Sequence, residues 1–262
     1  KFKNMVNRAG CDSRVRGAYI FSGAGQTGRF SSVGLQVHNL PRECAKDPEA
    51  LHKQVMGDKI LTNVMDDLAS MLRPSIIASP NHSLVWGDWS AIEARVLPWL
   101  TNSHEGNDVL DIFSANDADP TLPDIYMRAA GGFYGAPPED IDKAQRQVGK
   151  VIILSSGYQG GYRAFQAMAR AYHIEISDDE AGEIIHNWRA QNAWAVNFWC
   201  DLNSATINAM RQPGEVFHVG RLIYCRPGAA APLYCQLPSG RILSYPQPRL
   251  DLVEGAYGDE YK

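Results

Sequence analysis

Arg146, Lys150, Leu154 and Tyr158 recur at every fourth position in the stretch Arg146-Gln-Val-Gly-Lys150-Val-Ile-Ile-Leu154-Ser-Ser-Gly-Tyr158. On a helix, residues four apart share a face. The spacing therefore predicts two cations, an aliphatic side chain and an aromatic hydroxyl along a row of about 18 Å, comparable to a nucleoside triphosphate laid lengthwise. Arg146 and Lys150 suit phosphates, Leu154 a sugar and Tyr158 the face of a base. Taken alone, the same row also fits an amphipathic helix with a basic end and a buried aromatic.

The charge distribution bears on that choice. The net charge of −4 over 262 residues hides two basic blocks. Residues 1–42 hold seven Lys/Arg against Asp12 alone, and residues 143–173 hold Lys143, Arg146, Lys150, Arg163 and Arg170 with no acid. Between them, residues 105–142 are acidic, with Arg128 the one cation. Two basic surfaces with an acidic spacer suit a cleft for a polyanion whose outer face repels it; uncorrelated clustering of charge is the alternative. Cys11, Cys44, Cys200, Cys225 and Cys235 are odd in number and widely spaced, with no C-x-x-C pair, so zinc is not indicated and a reducing cytosol fits. No signal peptide or membrane-length apolar run is visible, so no membrane partner is expected. The chain starts at Lys1 rather than Met and reads as part of a longer protein.

Along the chain, residues 1–9 suggest the end of a helix and Val15–Phe21 a strand. Gly23-Ala-Gly25-Gln-Thr-Gly28 matches the dinucleotide fingerprint G-x-G-x-x-G in form, but that fingerprint must open a helix. Here it runs into Arg29-Phe-Ser-Ser-Val-Gly34 and then Pro41, so a turn between strands is expected instead. Leu51, Val55, Ile60, Val64, Leu68 and Leu72 predict one helix over 48–72, closed by Pro74. Ser83–Gly87 reads as a short apolar strand ending at Asp88, and Ser90–Leu100 as a helix. Residues 101–123 are expected to be loop. Helices follow at 123–133, 138–156, 162–173, 178–190 (behind a Ser177…Glu180 capping box) and 193–211. Strands are expected at 216–225, 233–237 and 241–245, with a turn at Pro238-Ser-Gly240. The fold class is α+β.

Asp88-Trp-Ser90-Ala-Ile-Glu93-Ala-Arg95 places a carboxylate at a strand end before a helix, a position that suits a hard divalent cation. Ser90 and Glu93 also have the spacing of a capping box, which would make Glu93 a local device only.

Three stretches in order are more specific than any one of them. Thr27-Gly28-Arg29-Phe30-Ser31-Ser32 followed by Gln36-Val-His38-Asn39-Leu-Pro41-Arg42 resembles the TGR-x-SS…Q-N-x-P-x-R segment of family A DNA polymerases, the DNA polymerase I type. Asp88 to Arg95 resembles their motif A, D-Y-S-x-I-E-x-R. Arg146 to Tyr158 resembles their motif B, R-x-x-x-K-x-x-x-[FY]-x-x-x-Y, and Asp124-Ile-Tyr126 resembles the D-I-[HY] element upstream of it. The helical insert at 48–72 resembles the phage branch. The resemblance implies a partial right-hand polymerase fold, with residues 1–99 as the first part of the palm and 100–262 as fingers with a terminal β-hairpin.

The roles that the resemblance implies are these. Asp88 would hold two Mg²⁺ ions, with the Trp89 carbonyl a further ligand. Glu93 would occupy the 2′ position of the nucleotide and so exclude ribonucleotides. Arg146 and Lys150 would bind the triphosphate of a dNTP, with Tyr126 in reach, while Tyr158 would close the base-pair pocket beside Glu93. Arg29 would read the minor groove at the primer end, and Gln36, His38, Asn39 and Arg42 would line the path of primer-template DNA. The implied activity is template-directed DNA synthesis in the cytoplasm of a bacterial or phage-infected cell. Leu154 stands where the family has Phe or Tyr, and Tyr126 where His is commoner. Motif C, His-Asp-Glu, does not occur in the sequence. The chain alone is therefore expected to be inactive or nearly so, and a second polypeptide is one source of the remaining palm. The alternatives are a non-catalytic DNA- and nucleotide-binding fragment and one subunit of a split polymerase. An unrelated NTPase is disfavoured because no G-x-x-x-x-G-K-[ST] occurs.

Overall fold

The structure, a computed structural model, describes residues 2–41, 43–57, 63–255 and 258–261. It divides into two compact units, Lys1–Asp88 and Trp89–Lys262. The expected palm–fingers boundary lay at 99–100; the contact boundary falls just before the motif A helix.

In the first unit, helix α1 (Phe2–Arg8) leads into a reversal. The Gly10 N–H donates to the Arg14 carbonyl (3.0 Å), and Ala9 bridges Val15. That reversal uses up the start of the strand expected at 15–21, leaving β1 as Tyr19–Ile20. β1 pairs antiparallel with β2 (Ser31–Ser32). The glycine-rich stretch forms the turn between them, and no helix follows it, in keeping with rejection of the dinucleotide fingerprint. A short 3-10 turn, Val37–Asn39, comes next. The single helix expected over 48–72 is instead two. Helix α2 (Pro48–Met56) is capped by Asp47 and ends at Gly57, and α3 (Val64–Ser70) begins after Asn63. Gly terminates a helix more readily than it continues one. Ile60, counted in the helical period, lies outside the described residues. The Arg73 guanidinium donates to the carbonyls of Pro41 (2.5 Å) and Leu40 (3.1 Å), and Ala18, Leu35, Leu40 and Leu72 are buried.

The strand expected at Ser83–Gly87 does not form. Among the described residues nothing pairs with it, and Leu84, Val85, Trp86 and Trp89 are exposed. An extended segment without a neighbour has no ladder to hold it.

The second unit is mainly helical. Helix α4 (Ile92–Thr101) is followed by α5 (His104–Ala118), where a loop was expected. The Asn, Asp and Gly of α5 are poor helix formers, but tertiary contacts outweigh them. Ser103 caps the Gly106 N–H (3.0 Å), Phe113 is buried, and Asp117 is tied to Arg95. Helix α6 (Ile125–Tyr134) is capped by Asp124. Helix α7 (Lys143–Ser156) begins five residues later than expected, because Asp142 and Gln145 form a capping box while 138–140 make a separate 3-10 turn. Helices α8 (Tyr162–Ala171), α9 (Asp178–Gln191, with the expected Ser177/Glu180 box) and α10 (Ala193–Arg211) complete the bundle.

Val151, Phe165, Ile184, Trp188, Ala195 and Phe198 form its core. Strands β3 (Val216–Val219), β4 (Leu222–Cys225), β5 (Leu233–Gln236) and β6 (Ile242–Tyr245) make an antiparallel meander that adds Val219, Leu222 and Cys235 to the same core. The strand expected over 216–225 is thus a hairpin with a two-residue turn at Gly220-Arg221, and Gly220 takes a positive φ of 53°. Strands β7 (Leu252–Gly255) and β8 (Gly258–Tyr261) form a further hairpin. The arrangement is α+β.

Candidate functional site

The motif B helix is organised by its buried side. Val148, Gly149, Val151, Ile152, Ser155 and Ser156 of α7 are buried, while Arg146, Lys150 and Leu154 lie half-buried along the opposite flank. Tyr158 lies two residues beyond the helix and is mostly exposed. Gly149 permits the closest approach: a Cβ there would lie 2.0 Å from the Tyr126 carbonyl oxygen and 3.0 Å from the Ala130 nitrogen of α6. The two helices are therefore in backbone contact where α7 carries its cations.

That contact explains Arg146. Its Nε donates to the Asp124 carboxylate at 2.8 Å, its terminal nitrogen pairs with the same oxygen, and its guanidinium sits 5.2 Å from the Tyr126 ring centroid. Asp124 also accepts from the Tyr126 and Met127 amides (3.0 and 2.9 Å), so one carboxylate both caps α6 and orients Arg146. Burial pushes the Tyr126 phenol above its usual pKa, reinforced by the Asp124 carboxylate. Lys150 is placed with its ammonium 5.3 Å from the Tyr172 ring. Both cations of the row thus have partners within the protein.

Glu93, Leu154 and Tyr158 come together. All three line one cavity of about 50 Å³, with Leu97 and Trp194 among its other walls. Helix α4 starts after Ala91, which takes a left-handed φ of 51° and has no side-chain cap bond, so Ser90 is not its N-cap.

Two guanidinium groups that sequence reasoning passed over hold α4 in place. Arg95 makes a bidentate pair with Asp117 of α5 (2.6 and 2.8 Å) and stacks 4.4 Å from the Phe113 ring centroid. Arg95 holds the Asp117 carboxyl below the usual carboxylate range. At the other end, Arg221 donates from its amide to the Leu100 carbonyl and from its Nε to the Trp99 carbonyl, both at 2.9 Å. Its guanidinium also covers the Trp99 ring at 4.9 Å. These donors serve carbonyls that a helix leaves unpaired in its last turn, where a cation also complements the dipole. Gly220 makes the approach possible, since a Cβ there would lie 2.1 Å from the Leu100 oxygen. Arg95 stands inside the motif A pattern, which is the signal that could have found it; Arg221 had no sequence signal.

The residues expected to meet DNA lie in the first unit. His38 Nδ1 and Ser32 Oγ are 2.8 Å apart, and Asn39 donates to the Gln36 side-chain oxygen at 3.1 Å, so β2 and the 3-10 turn present a linked polar group. Arg29 is exposed on the turn before β2. Arg42 lies outside the described residues. Asp88 and Trp89 are exposed. Among the described residues no group of three or more His, Cys, Asp or Glu is placed to hold a metal. Asp88 with the Trp89 carbonyl offers at most three oxygens where each Mg²⁺ demands six ligands, so these residues alone do not fit a two-ion site.

Comparison with known proteins agrees with the family resemblance. Residues 1–216 match the family described as DNA polymerase family A. The chain is 34% identical over 253 residues to a DNA polymerase of Bacillus phage SP02, covering 93% of this chain and 37% of that protein. It is 25% identical over 178 residues to DNA polymerase I of Chloroflexus aurantiacus, covering 68% of this chain and 15% of that protein. The chain therefore spans about a third or less of the length of these relatives. Among solved structures, the POL domain of a polymerase from M. smegmatis, in complex with DNA primer-template and dNTP, matches with a TM-score of 0.51 at 15% identity, over 79% of this chain and 30% of its own. That likeness concerns the fold, and it agrees with a partial polymerase fold. On the extent of the family match, the chain belongs to the family A DNA polymerases.

Proposed function

We propose that this chain supplies the incoming-nucleotide site and part of the primer-template path of a template-directed DNA polymerase, with residues 1–99 as palm and 100–262 as fingers. The observation that carries the reading is the shared cavity of Glu93, Leu154 and Tyr158 beside the flank that bears Lys150 and Arg146. In this reading Lys150 binds the triphosphate of a dNTP. Arg146 helps from its fixed place on Asp124 and Tyr126. Leu154 meets the sugar and Tyr158 the base. Glu93 fills the space of a 2′-hydroxyl, so a ribonucleotide meets a clash and a desolvated carboxylate. Arg29 contacts the minor groove, where hydrogen-bond acceptors are nearly common to all base pairs, and Gln36, His38, Asn39 and Arg42 track the strand.

The reaction joins a primer 3′-hydroxyl to the α-phosphate of a dNTP with release of pyrophosphate. Mg²⁺, as two ions, is proposed for the assembled enzyme, with Asp88 and the Trp89 carbonyl as part of the ligand set. The remaining ligands would come from residues outside this sequence. The setting is the cytoplasm of a bacterial or phage-infected cell; among the described residues no helix is long and apolar enough to cross a membrane.

Primer extension tests the reading. The chain alone should not extend a primer, and adding a separate polypeptide that carries the family's His-Asp-Glu segment should produce extension that Asp88→Ala abolishes. Robust synthesis by the chain alone would remove the claim of incompleteness. Failure of both complementation and dNTP binding would remove the polymerase reading. The lack of a three-ligand metal group among the described residues favours one alternative, a fragment that binds DNA and nucleotide without catalysis; dNTP binding without complementation is its signature.

A further inference from the structure

Three aromatic side chains gather at the turn end of the β1–β2 ribbon. Tyr19 pairs with Ser32 and Ile20 with Ser31 across the ladder, and Phe21 and Phe30 are the residues just beyond it. Phe21 opens the turn that the Gly23 N–H closes on the Ile20 carbonyl, and ring contacts rather than the ladder bring the three aromatics together. Their rings meet edge to face, with centroids 5.5 Å apart for Phe21 and Phe30 and 6.3 Å for Tyr19 and Phe30. These rings are not core: Phe21 is 82% exposed, Phe30 55% and Tyr19 53%. Contiguous exposed apolar surface of this kind marks a contact surface.

The surroundings indicate what makes the contact. Tyr19 also lines a groove of about 620 Å³ together with Arg14 and Arg16. Both arginines are paired with Asp12, Arg16 in a bidentate manner (2.6 and 3.1 Å), and the three residues together keep one net positive charge. The segment around them, residues 1–42, carries a net charge of +6. Arginines on the wall of a groove beside exposed rings are a pairing that suits single-stranded nucleic acid: the cations meet the phosphates, and bases stack on the aromatics whatever their sequence. A base inside a duplex has both faces covered by its neighbours and cannot use such a ring.

We infer that the Tyr19/Phe21/Phe30 cluster is a stacking platform for unpaired bases of single-stranded DNA, with Arg14 and Arg16 holding the adjoining phosphates. The platform goes beyond the polymerase reading, because it needs neither the nucleotide row nor a metal.

The test is fluorescence anisotropy of the full chain with a labelled oligothymidylate of about twelve nucleotides, a length within the usual range of such sites, across a salt series. Phe21→Ala and Phe30→Ala should each weaken binding by about five- to a hundredfold, the span measured for removal of one base–aromatic stack, and leave the salt slope unchanged. Arg14→Gln should instead lower the slope by about 0.7 for each phosphate it no longer neutralises. Phe21 is so exposed that its replacement leaves folding intact, which circular dichroism checks. Unchanged affinity in Phe21→Ala overturns the platform. So does an equal loss for a blunt duplex of the same length, or a Phe21-dependent self-association in sedimentation velocity without DNA. Intact primer-template binding with Phe21-independent oligothymidylate binding sinks the platform and leaves the polymerase reading standing. Phe21-dependent binding with no dNTP binding does the reverse.

Discussion

Replacing Gly149 by Ala sets two physical effects against each other with opposite signs. As a helix-interior change on α7, Gly→Ala should stabilise by about 1 kcal/mol through propensity alone. The structure predicts the contrary. The new Cβ would lie 2.0 Å from the Tyr126 carbonyl oxygen, whereas ordinary contact begins near 3.4 Å, so α6 and α7 must part by about 1.4 Å or distort. The obstacle is backbone and cannot rotate away. Overpacking of this kind costs about 1–3 kcal/mol, and here the upper end applies. Subtracting the propensity gain leaves a net loss of about 2 kcal/mol. With a urea slope of about 2 kcal/mol per molar, the unfolding midpoint should fall by about 1 M. Urea titration followed by far-ultraviolet circular dichroism reads it. Gly182 of α9 is the internal control, because a Cβ there meets nothing within 4 Å; Gly182→Ala should raise the midpoint. If Gly149→Ala raises it too, the close approach of α6 and α7 is wrong, and so is the account of how Arg146 reaches Asp124.

Other outcomes follow from the same contacts. Arg221→Ala should free the Trp99 and Leu100 carbonyls at the end of α4 and speed amide hydrogen exchange in that turn, with little change in α9; uniform protection would show that the hairpin does not hold the helix. The Arg16 guanidinium holds the Asp12 carboxyl down to about 2. Because the folded value is the lower one, that pair contributes above the ordinary carboxylate range and is lost as pH falls toward 2. In carboxyl NMR titration Arg16→Ala should return the Asp12 midpoint to the ordinary range, and an unmoved midpoint would rule out the pair. In a complemented enzyme, Glu93→Ala should raise ribonucleotide incorporation relative to deoxynucleotide; unchanged sugar selectivity would take Glu93 out of the pocket. Lys150→Ala should weaken dNTP binding by about ten- to a hundredfold, the worth of a hydrogen bond to a charged group, and an unaffected dissociation constant would leave the row as packing.

Local signals in this sequence were legible because their causes lie within one or two turns of chain. The Ser177/Glu180 box, the apolar period of α9 and α10, and the glycine turn between β1 and β2 each act between near neighbours, and the structure has them in place. Three positions of the expected row, Arg146, Lys150 and Leu154, share one flank of α7 for the same reason, whereas Tyr158 falls beyond the helix end. Long-range competition decided the rest. α5 exists despite its Asn, Asp and Gly because Arg95 grips Asp117 from another helix, while the apolar run 83–87 stays irregular because an extended segment needs a partner. Arg146 finds its carboxylate 22 residues away, and Arg221 reaches Trp99 across 122. Pairings over such separations depend on how helices pack, and no period or cap in the chain encodes which distant group a side chain will meet. The gathering of Glu93, Leu154 and Tyr158 around one cavity is of this second kind: their residue types were readable from the sequence, and their nearness came from packing.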